Sequence, residues 1–376
     1  MPGVDLPLDL SELQGQKFVC IDNCSLCCLC QPELLSSEEE FFRRNYPQKI
    51  IIRKFPHKHT ALAMKNGFGP CTFLEHGRCT IYSHRPHFCR QFPFHVHLME
   101  RVQFSLDLSC RGVWEGRGED ASALGLKLAL DNETRLLSAL NHAKRVHQEF
   151  LANCKEAGLV PSPRKHRIAF ESVLQRTSEL GFLGWILDRS MEEEEMNLLE
   201  HPSKTYLDDS GLEELRKAAM EVSLESLASE DPMYSPVYCS PEGRWNLFLS
   251  SNGGIEIYRL LDDGNMERER KIDPNQIPLL PPEAEGKELF SRYLGILNRR
   301  DSLLGHAYYL MDEYGYEDYF PNVFYGVLAS SGLDLLWRAS LLAYISGGRL
   351  DWYHIREGII FYDMDRLDAP TIGAFV

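Results

Sequence analysis

The sequence has little cysteine over most of its length and no long apolar run. Of the 11 cysteines in 376 residues, only Cys154 and Cys239 lie beyond residue 110. The most apolar stretches, 181–187 and 335–345, are short or contain Arg338, so we expect no membrane insertion. The first residues lack the basic and apolar regions of a secretory signal. We therefore expect a cytoplasmic protein, in which disulfides are disfavoured.

The sequence also lacks an excess of basic residues. It has 40 Lys+Arg against 55 Asp+Glu, a formal net charge of −15. The first 110 residues are nearly neutral, with 12 basic and 11 acidic side chains, whereas the remainder has 28 and 44. Because nucleic acids are bound mainly through basic surfaces, this balance predicts no nucleic-acid partner. We expect a protein substrate or a partner protein instead.

The composition divides the chain into three segments. Hydrophobic residues make up 44% and charged residues 25%, which is ordinary for a globular protein of about two or three domains. We expect a cysteine-rich metal- or iron–sulfur-binding domain at 1–119, a helical region at 120–230, and a small antiparallel sheet with C-terminal helices at 231–376. The predicted fold class is α+β: an irregular cysteine-rich head and a mostly helical body with a small antiparallel β-meander.

Local patterns predict the main elements. In the head, Ser36 is expected to cap a helix with Glu38 in its first turn, and residues 49–54 have the composition of a strand. Apolar spacing predicts helices at 132–158, 167–188, 211–228, 289–297 and 334–346. Alternating residues predict strands at 245–250, 254–261 and 266–272, joined by turns at Asn252-Gly253 and Asp263-Gly264.

The nine cysteines of the head form two groups. A short run carries Cys20, Cys24, Cys27, Cys28 and Cys30, and the second group is Cys71, Cys79, Cys89 and Cys110. Thiolates are soft donors that suit zinc, iron–sulfur clusters or copper(I). The alternative is a set of buried free cysteines acting as small hydrophobic residues. So dense a run is poor core patterning, and we therefore predict a metal site.

The spacing leaves the metal open between zinc and iron–sulfur. Structural zinc sites usually combine two separate CxxC-type pairs, whereas here that spacing occurs only within the first run, as at Cys24 and Cys27. The second group is separated by 7, 9 and 20 residues. Its members come from different loops, which suits an iron–sulfur cluster, most simply [4Fe–4S], and does not exclude an unusual zinc site. Adjacent Cys27 and Cys28 are expected to point in different directions, so that either part of the set binds one cluster or there are two sites.

Arginines and histidines accompany the cysteines. Arg78, Arg90 and Arg111 each adjoin a cysteine, where a guanidinium would lower the thiol pKa and offset thiolate charge; the alternative is that they are ordinary exposed arginines. Two His-x-His pairs would place their rings on the same side of an extended chain. Seven of the 13 histidines lie between residues 57 and 97, namely His57, His59, His76, His84, His87, His95 and His97.

The head resembles a known family. The CxxxCxxCC run is followed by Cys71-x-Phe73-Leu74, Cys79-x-Ile81-Tyr82, Arg85-Pro86, Cys89-Arg90 and Phe92-Pro93-Phe94. This order is similar to the YkgJ-like zinc- or iron-chelating cysteine-cluster family, a broad group that includes flagellin lysine-N-methylase. The resemblance covers about residues 18–110 and leaves Cys30 outside the pattern. It implies a metal site formed by Cys20, Cys24, Cys27, Cys28, Cys71, Cys79, Cys89 and Cys110.

Three functions remain open. For the methylase branch, the resemblance implies an iron–sulfur cluster and S-adenosylmethionine as the methyl donor, although Gly67-x-Gly69 is typical of a turn and not of a nucleotide loop. Cys20, Cys24 and Cys27 also have the spacing of radical S-adenosylmethionine enzymes, but the expected partial barrel of strands and helices does not follow. The third function is a non-enzymatic metal module for electron transfer, cofactor maturation or complex assembly.

Overall fold

The computed structural model describes residues 6–22, 24–54, 58–228, 235–251 and 254–376. Its helices are α1 (Ser36–Asn45), α2 (His87–Gln91), α3 (Ala121–Asp131), α4 (Glu133–Glu156), α5 (Pro163–Val173), α6 (Leu180–Ser190), α7 (Asp209–Leu227), α8 (Ala284–Arg299), α9 (Asp301–Glu313), α10 (Phe320–Ser346) and α11 (Trp352–Leu367). Its strands are β1 (Leu8–Asp9), β2 (Lys17–Phe18), β3 (Ile50–Arg53), β4 (His59–Leu62), β5 (Leu74–Glu75), β6 (Arg78–Cys79), β7 (Phe94–Leu98), β8 (Val102–Leu106), β9 (Glu119–Asp120), β10 (Val237–Cys239), β11 (Trp245–Ser251), β12 (Gly254–Leu260), β13 (Met266–Ile272) and β14 (Ala374–Phe375). The fold is α+β, as predicted.

The head contains one four-stranded sheet and several two-stranded ladders. The sheet has the strand order β1-β8-β7-β14, in which β1 is parallel to β8 and the other pairs are antiparallel. Nearly every residue of β7 and β8 is buried, so both faces of the sheet are covered. Because β14 lies at the C-terminus, the last residues of the chain complete the sheet of the head.

The body is organised around α10, which is buried along most of its 27 residues. Its apolar residues occur on all sides, as expected for a helix surrounded by others, and it ends where Gly347 adopts a left-handed conformation with φ 75°. Arg338 lies within this apolar helix without exposure to solvent. Its guanidinium donates to Asp334 at 2.8 Å, to Asp365 at 2.5 Å and to Ser226 at 2.7 Å, so the buried charge is paired.

The meander of β10 to β13 packs against the head. Its strands are antiparallel in sequence order, and Cys239 of β10 lies opposite Trp245 of β11. The ammonium of Lys65, in the head, donates to the backbone carbonyls of Leu74 and Asp262 at 2.7 Å each, which joins the β13 side of the meander to the head. A shared apolar cluster consists of Leu26, Leu74, Cys239, Trp245, Leu247 and Leu260.

The three predicted segments share contacts across both predicted boundaries. One hydrophobic core includes residues of β7, β8 and the helices of the body. Arg300, at the end of α8, donates to Asp363 of α11 at 2.6 Å and to Glu12 of the head at 2.9 Å, and Asp363 also accepts from the backbone N–H of Leu108 at 2.7 Å. The division at residues 119 and 230 remains a prediction about domains, and the packing across it is extensive.

Most local predictions of secondary structure are confirmed. The head strand is β3, the helix after Asn132 is α4, the helix at 211–228 is α7, and the three predicted meander strands are β11, β12 and β13. The helix predicted at 334–346 is the second half of the longer α10. The Asn252-Gly253 turn and His57 lie outside the described residues. None of the helices in the described part of the chain combines the length and the apolar character that a bilayer crossing requires.

Two local predictions are wrong, and one strand was missed. Leu35, in extended conformation, is the N-cap of α1, so Ser36 lies inside the helix, and the Glu38 carboxylate accepts from the Leu35 N–H at 3.1 Å. The helix predicted at 167–188 is divided into α5 and α6 by a 3-10 turn, where the hydroxyl of Thr177 donates to the Leu174 carbonyl at 2.6 Å and competes with helical hydrogen bonding. Strand β10 had no strand pattern in its three residues and was not predicted.

Candidate metal centre

The cysteine run is shaped by a left-handed residue. Ser25 has φ 51° and ψ 21°, and a 3-10 turn begins directly after it and spans Leu26–Cys28. The Ser25 hydroxyl donates to the Gly77 carbonyl at 3.1 Å, and the Cys28 carbonyl accepts from the Cys71 N–H at 2.8 Å. These two hydrogen bonds bring the first cysteine group against the second.

The second group is held by short elements of the head. Cys79 belongs to the β5–β6 hairpin, whose two turn residues, His76 and Gly77, both have positive φ, as tight hairpins require. Cys89 lies in the middle of α2, a helix of one turn that follows Pro86. Cys110 follows β8, and its N–H donates to the Asp107 carbonyl at 3.1 Å. Cys71 forms an isolated bridge with Met64, so four separate segments carry the thiols of the second group, as the spacing predicts.

A cavity of about 360 Å³ lies among these segments. Its wall also includes Phe73, Ile81, Tyr82 and Arg85, so that apolar and aromatic groups surround the thiols. Seven cysteines line it: Cys20, Cys27, Cys28, Cys30, Cys71, Cys79 and Cys89. Six of them belong to the predicted set, and the seventh, Cys30, was left outside it.

A second cavity of about 630 Å³ adjoins the first. We call it the cleft. It shares Cys20, Cys27 and Cys89 with the first cavity and is also lined by Cys24 and Cys110. Its remaining wall is mostly apolar, with charged side chains at Arg85, Arg90, Glu119, Lys127 and Asp131. All eight predicted cysteines therefore line one or both of two adjoining cavities.

The thiols surround the first cavity and do not converge on one point. Among the described residues, no three His, Cys, Asp or Glu side chains meet closely enough to hold an ion as they stand. A volume of about 360 Å³ is roughly twelve times the share of one water molecule in the liquid. The donor set is soft and rich in sulfur, which suits zinc or iron.

Cys27 and Cys28 both line the first cavity. Of the two, only Cys27 also lines the cleft, so the expectation that they point in different directions stays a prediction. The tight 3-10 turn Leu26–Cys28 contains both residues. Their interaction lowers the pKa of Cys27 and raises that of Cys28.

Burial raises the pKa values of several other thiols, and one arginine opposes this rise. Burial raises the pKa of Cys71 to about 11 and of Cys89 to about 12. The guanidinium of Arg85 opposes this rise at Cys20, Cys79 and Cys89. Its charge would stabilise thiolates that bind a metal.

The arginines next to cysteines have different surroundings. Arg78 lies 3.6 Å from Asp22 on the surface, and Arg90 lies 3.5 Å from Glu38. Arg111 is buried, pairs with Glu357 and lowers the pKa of Cys24. Arg85, which the adjacency argument did not select, lines both cavities. Arg111 and Arg85 therefore fit the predicted compensation of thiolate charge best, although Arg85 is not adjacent to a cysteine.

The described histidines lie away from the two cavities, since none is among the lining residues. His95 and His97 do lie on the same side of β7, as predicted, and both rings contact Phe375 of β14. The imidazole of His95 lies 3.5 Å from Asp107, and that of His97 lies 3.1 Å from the Thr371 hydroxyl. These rings contribute to the junction between the head and the C-terminus.

Cys239 is the residue at this site that the sequence did not indicate. It is buried in β10 of the meander, and its sulfur lies 3.9 Å from the sulfur of Cys24. The thiol of Cys239 hydrogen-bonds to Cys24 and lowers the pKa of Cys24 to about 6. The only signal in the sequence was that Cys239 is one of two cysteines beyond residue 110.

Comparison with known proteins agrees with a metal site in the head. Residues 19–111 match the model of the CxxCxxCC family, described as a "Putative zinc- or iron-chelating domain". No curated protein and no solved structure matches the chain. The match covers the cysteine-rich head alone, and a relation to flagellin lysine-N-methylase stays a prediction.

Proposed function

We propose that this protein binds an iron–sulfur cluster, of the [4Fe–4S] type, in the seven-cysteine cavity. The observation that carries the proposal is the lining of one cavity of about 360 Å³ by seven thiols from four chain segments. Iron–sulfur clusters are held by cysteine thiolates, four in the common types. The cavity offers more than that number, with no histidine among its lining residues. Six of the eight cysteines named from the sequence line this cavity and are the proposed source of the cluster ligands.

The test is anaerobic purification of the full chain, followed by its visible absorption spectrum and analysis of iron, sulfide and zinc. A [4Fe–4S] cluster predicts a brown protein with broad absorbance near 400 nm and about four iron and four sulfide per chain. A colourless protein with stoichiometric zinc would contradict the iron–sulfur assignment. It would still support metal binding by the thiolates. A protein free of both metals would contradict metal binding altogether.

The second part of the proposal is that the protein is an enzyme that uses S-adenosylmethionine. The cleft supports this part. Its volume of about 630 Å³ falls within the range of small-molecule sites, about 300–1,000 Å³. Three cysteines of the cluster cavity also line the cleft, so a molecule bound there would lie beside the cluster. Glu119 and Asp131 on the cleft wall would attract the ammonium groups of the cofactor or of a lysine substrate. The proposed reaction is methylation of a protein lysine.

Titration calorimetry with S-adenosylmethionine tests this second part. The cofactor should bind to the cluster-loaded protein, and Lys127→Ala, at the cleft wall, should fold normally and alter that affinity. If the loaded protein shows no binding, the methylase proposal fails. The protein would then be the alternative, a metal module for electron transfer, cofactor maturation or complex assembly, with the acidic body as the surface for its partner.

A further inference from the structure

We propose that Cys239, from the meander of the body, is a metal ligand and shares one metal ion with Cys24. The inference rests on the proposed metal binding of the head and extends it to a residue far outside the matched residues 19–111. The ion would be zinc or iron, which thiolates bind tetrahedrally. Cys24 does not line the seven-cysteine cavity but does line the cleft, together with Cys110. The pair therefore forms a centre beside the cluster cavity.

The separation of the two sulfur atoms fits one shared ion. A zinc ion binds thiolate sulfur at about 2.3 Å with tetrahedral angles, which places two of its sulfur ligands about 3.8 Å apart. The sulfur atoms of Cys24 and Cys239 are 3.9 Å apart. In a disulfide the same atoms would be about 2.05 Å apart. The separation of these two sulfur atoms therefore suits a shared ion, whose remaining ligands would have to move toward it, since no three potential ligands among the described residues meet at one point.

The backbone at both cysteines is held by strong donors. The guanidinium of Arg111 donates to the Cys239 carbonyl through two nitrogens, at 2.7 and 2.5 Å, and it is paired with Glu357, which also accepts from the Tyr238 hydroxyl at 2.6 Å. The indole N–H of Trp245 donates to the Cys24 carbonyl at 2.8 Å. Such outer contacts orient metal ligands and are a regular part of metal sites.

Arg111 joins this arrangement to the predicted ligands of the head. It directly follows Cys110, which lines the same cleft as Cys24. One arginine therefore fixes the strand that carries Cys239 next to the segment that carries Cys110. A second close contact lies at the turn between β12 and β13, where a Cβ on Gly69 would lie 2.5 Å from Cα of Gly264. The two contacts hold the meander against the head.

Metal analysis of the full chain, prepared anaerobically, tests the inference with three variants. Cys239→Ala removes the proposed ligand, Cys239→Ser keeps its size but not its thiolate, and Cys154→Ala removes the other body cysteine, which is buried in α4. We expect both Cys239 variants to contain fewer metal ions per chain than the wild type, or to lose an ion to a chelator more than about 100-fold faster. That change exceeds the 10- to 100-fold effect of losing an outer contact. Cys154→Ala should match the wild type.

The outcomes separate this inference from the proposed function. If the wild type holds metal and both Cys239 variants retain the same content and release rate, Cys239 is not a ligand and the metal site of the head stands. If the wild type holds no metal, the proposed function fails and the inference fails with it. Should the variants not fold, alkylation of the native wild type is the second test: Cys24, which is partly exposed, should react only after a chelator is added, and its reaction before that would overturn the inference. A Cys24–Cys239 disulfide peptide in the untreated protein would overturn the inference.

Discussion

The head and the body reach a folded structure by different means. In the cysteine-rich part of the head, short strands lie around a small apolar cluster that includes Phe42, Leu62 and Phe73, whereas β7 and β8 pack in the large core. In the body, the 27-residue α10 lies in a large core, and its buried arginine is paired. Small regions with little apolar core usually need metals or disulfides. The difference indicates that bound metal stabilises the cysteine-rich part of the head, whereas helix packing stabilises the body.

Removal of the metal is the strongest way to test this difference. A chelator under reducing conditions should unfold residues 20–30 and 71–89 and leave α10 folded. Structural metal ions contribute on the order of 10 kcal/mol to the folding of small domains. Hydrogen exchange measured by mass spectrometry should show loss of protection in the two cysteine segments and unchanged protection in α10. Uniform loss of protection along the chain would show that the two regions do not differ in this way.

Loss of a buried ion pair should affect the stability of the whole chain and not its metal. Arg300→Met leaves the buried carboxylate of Asp363 without its cation, which should cost about 3–5 kcal/mol in the free energy of unfolding. Arg299→Met is the matched control, because the neighbouring Arg299 forms an exposed pair with Glu171 and should cost less than about 1 kcal/mol. Urea unfolding measures both variants. Equal effects would contradict the structural role of the Arg300 pair.

The junction between the head and the C-terminus should weaken in acid. Burial lowers the pKa of His97 to about 4, whereas the unfolded value is about 6.5. Because the unfolded chain binds the proton first, stability is retained above pH 6.5 and falls as the pH drops from 6.5 to 4, by up to about 3 kcal/mol. The difference in unfolding free energy between wild type and His97→Gln, measured across this interval, isolates the contribution of His97. A difference that does not vary with pH would contradict it.

A smaller effect should follow from loss of a single hydrogen bond at the meander. Trp245→Phe removes the donor to the Cys24 carbonyl and should cost about 1–2 kcal/mol and speed metal release by about tenfold. Trp337→Phe is the matched control, since that buried indole N–H has no acceptor among the described residues. We expect Trp337→Phe to leave metal release unchanged. If both variants release metal at the wild-type rate, Trp245 does not position Cys24.

The sequence predicted elements with local patterns better than contacts between distant residues. The apolar spacing in α4 and α7 and the alternation in β11 to β13 correspond to the structure, because periodicity reflects burial directly. The break between α5 and α6 was missed, since it depends on hydroxyl groups that bind nearby carbonyls. Strand β10 has only three residues, which are too few to show a periodic pattern. Its strand conformation depends on pairing with β11.

At the candidate site, too, local patterns were predicted better than contacts between distant residues. The density of cysteines before residue 110 predicts a metal site, and all eight named residues do line adjoining cavities. The turn that presents Cys27 and Cys28 to the first cavity could not be predicted, because it follows the left-handed Ser25. The contact between Cys239 and Cys24 joins residues 215 positions apart, and nothing local to Cys239 indicates it.

Native mass spectrometry of the full chain, purified without oxygen, shows directly whether the folded head contains metal. We expect a mass above the 43.2 kDa of the polypeptide by four iron and four sulfide, with one further metal ion that Cys239→Ala lacks and Cys154→Ala retains. A mass equal to that of the polypeptide alone, in a chain whose head is nevertheless protected from hydrogen exchange, would contradict metal binding as the basis of the folded head.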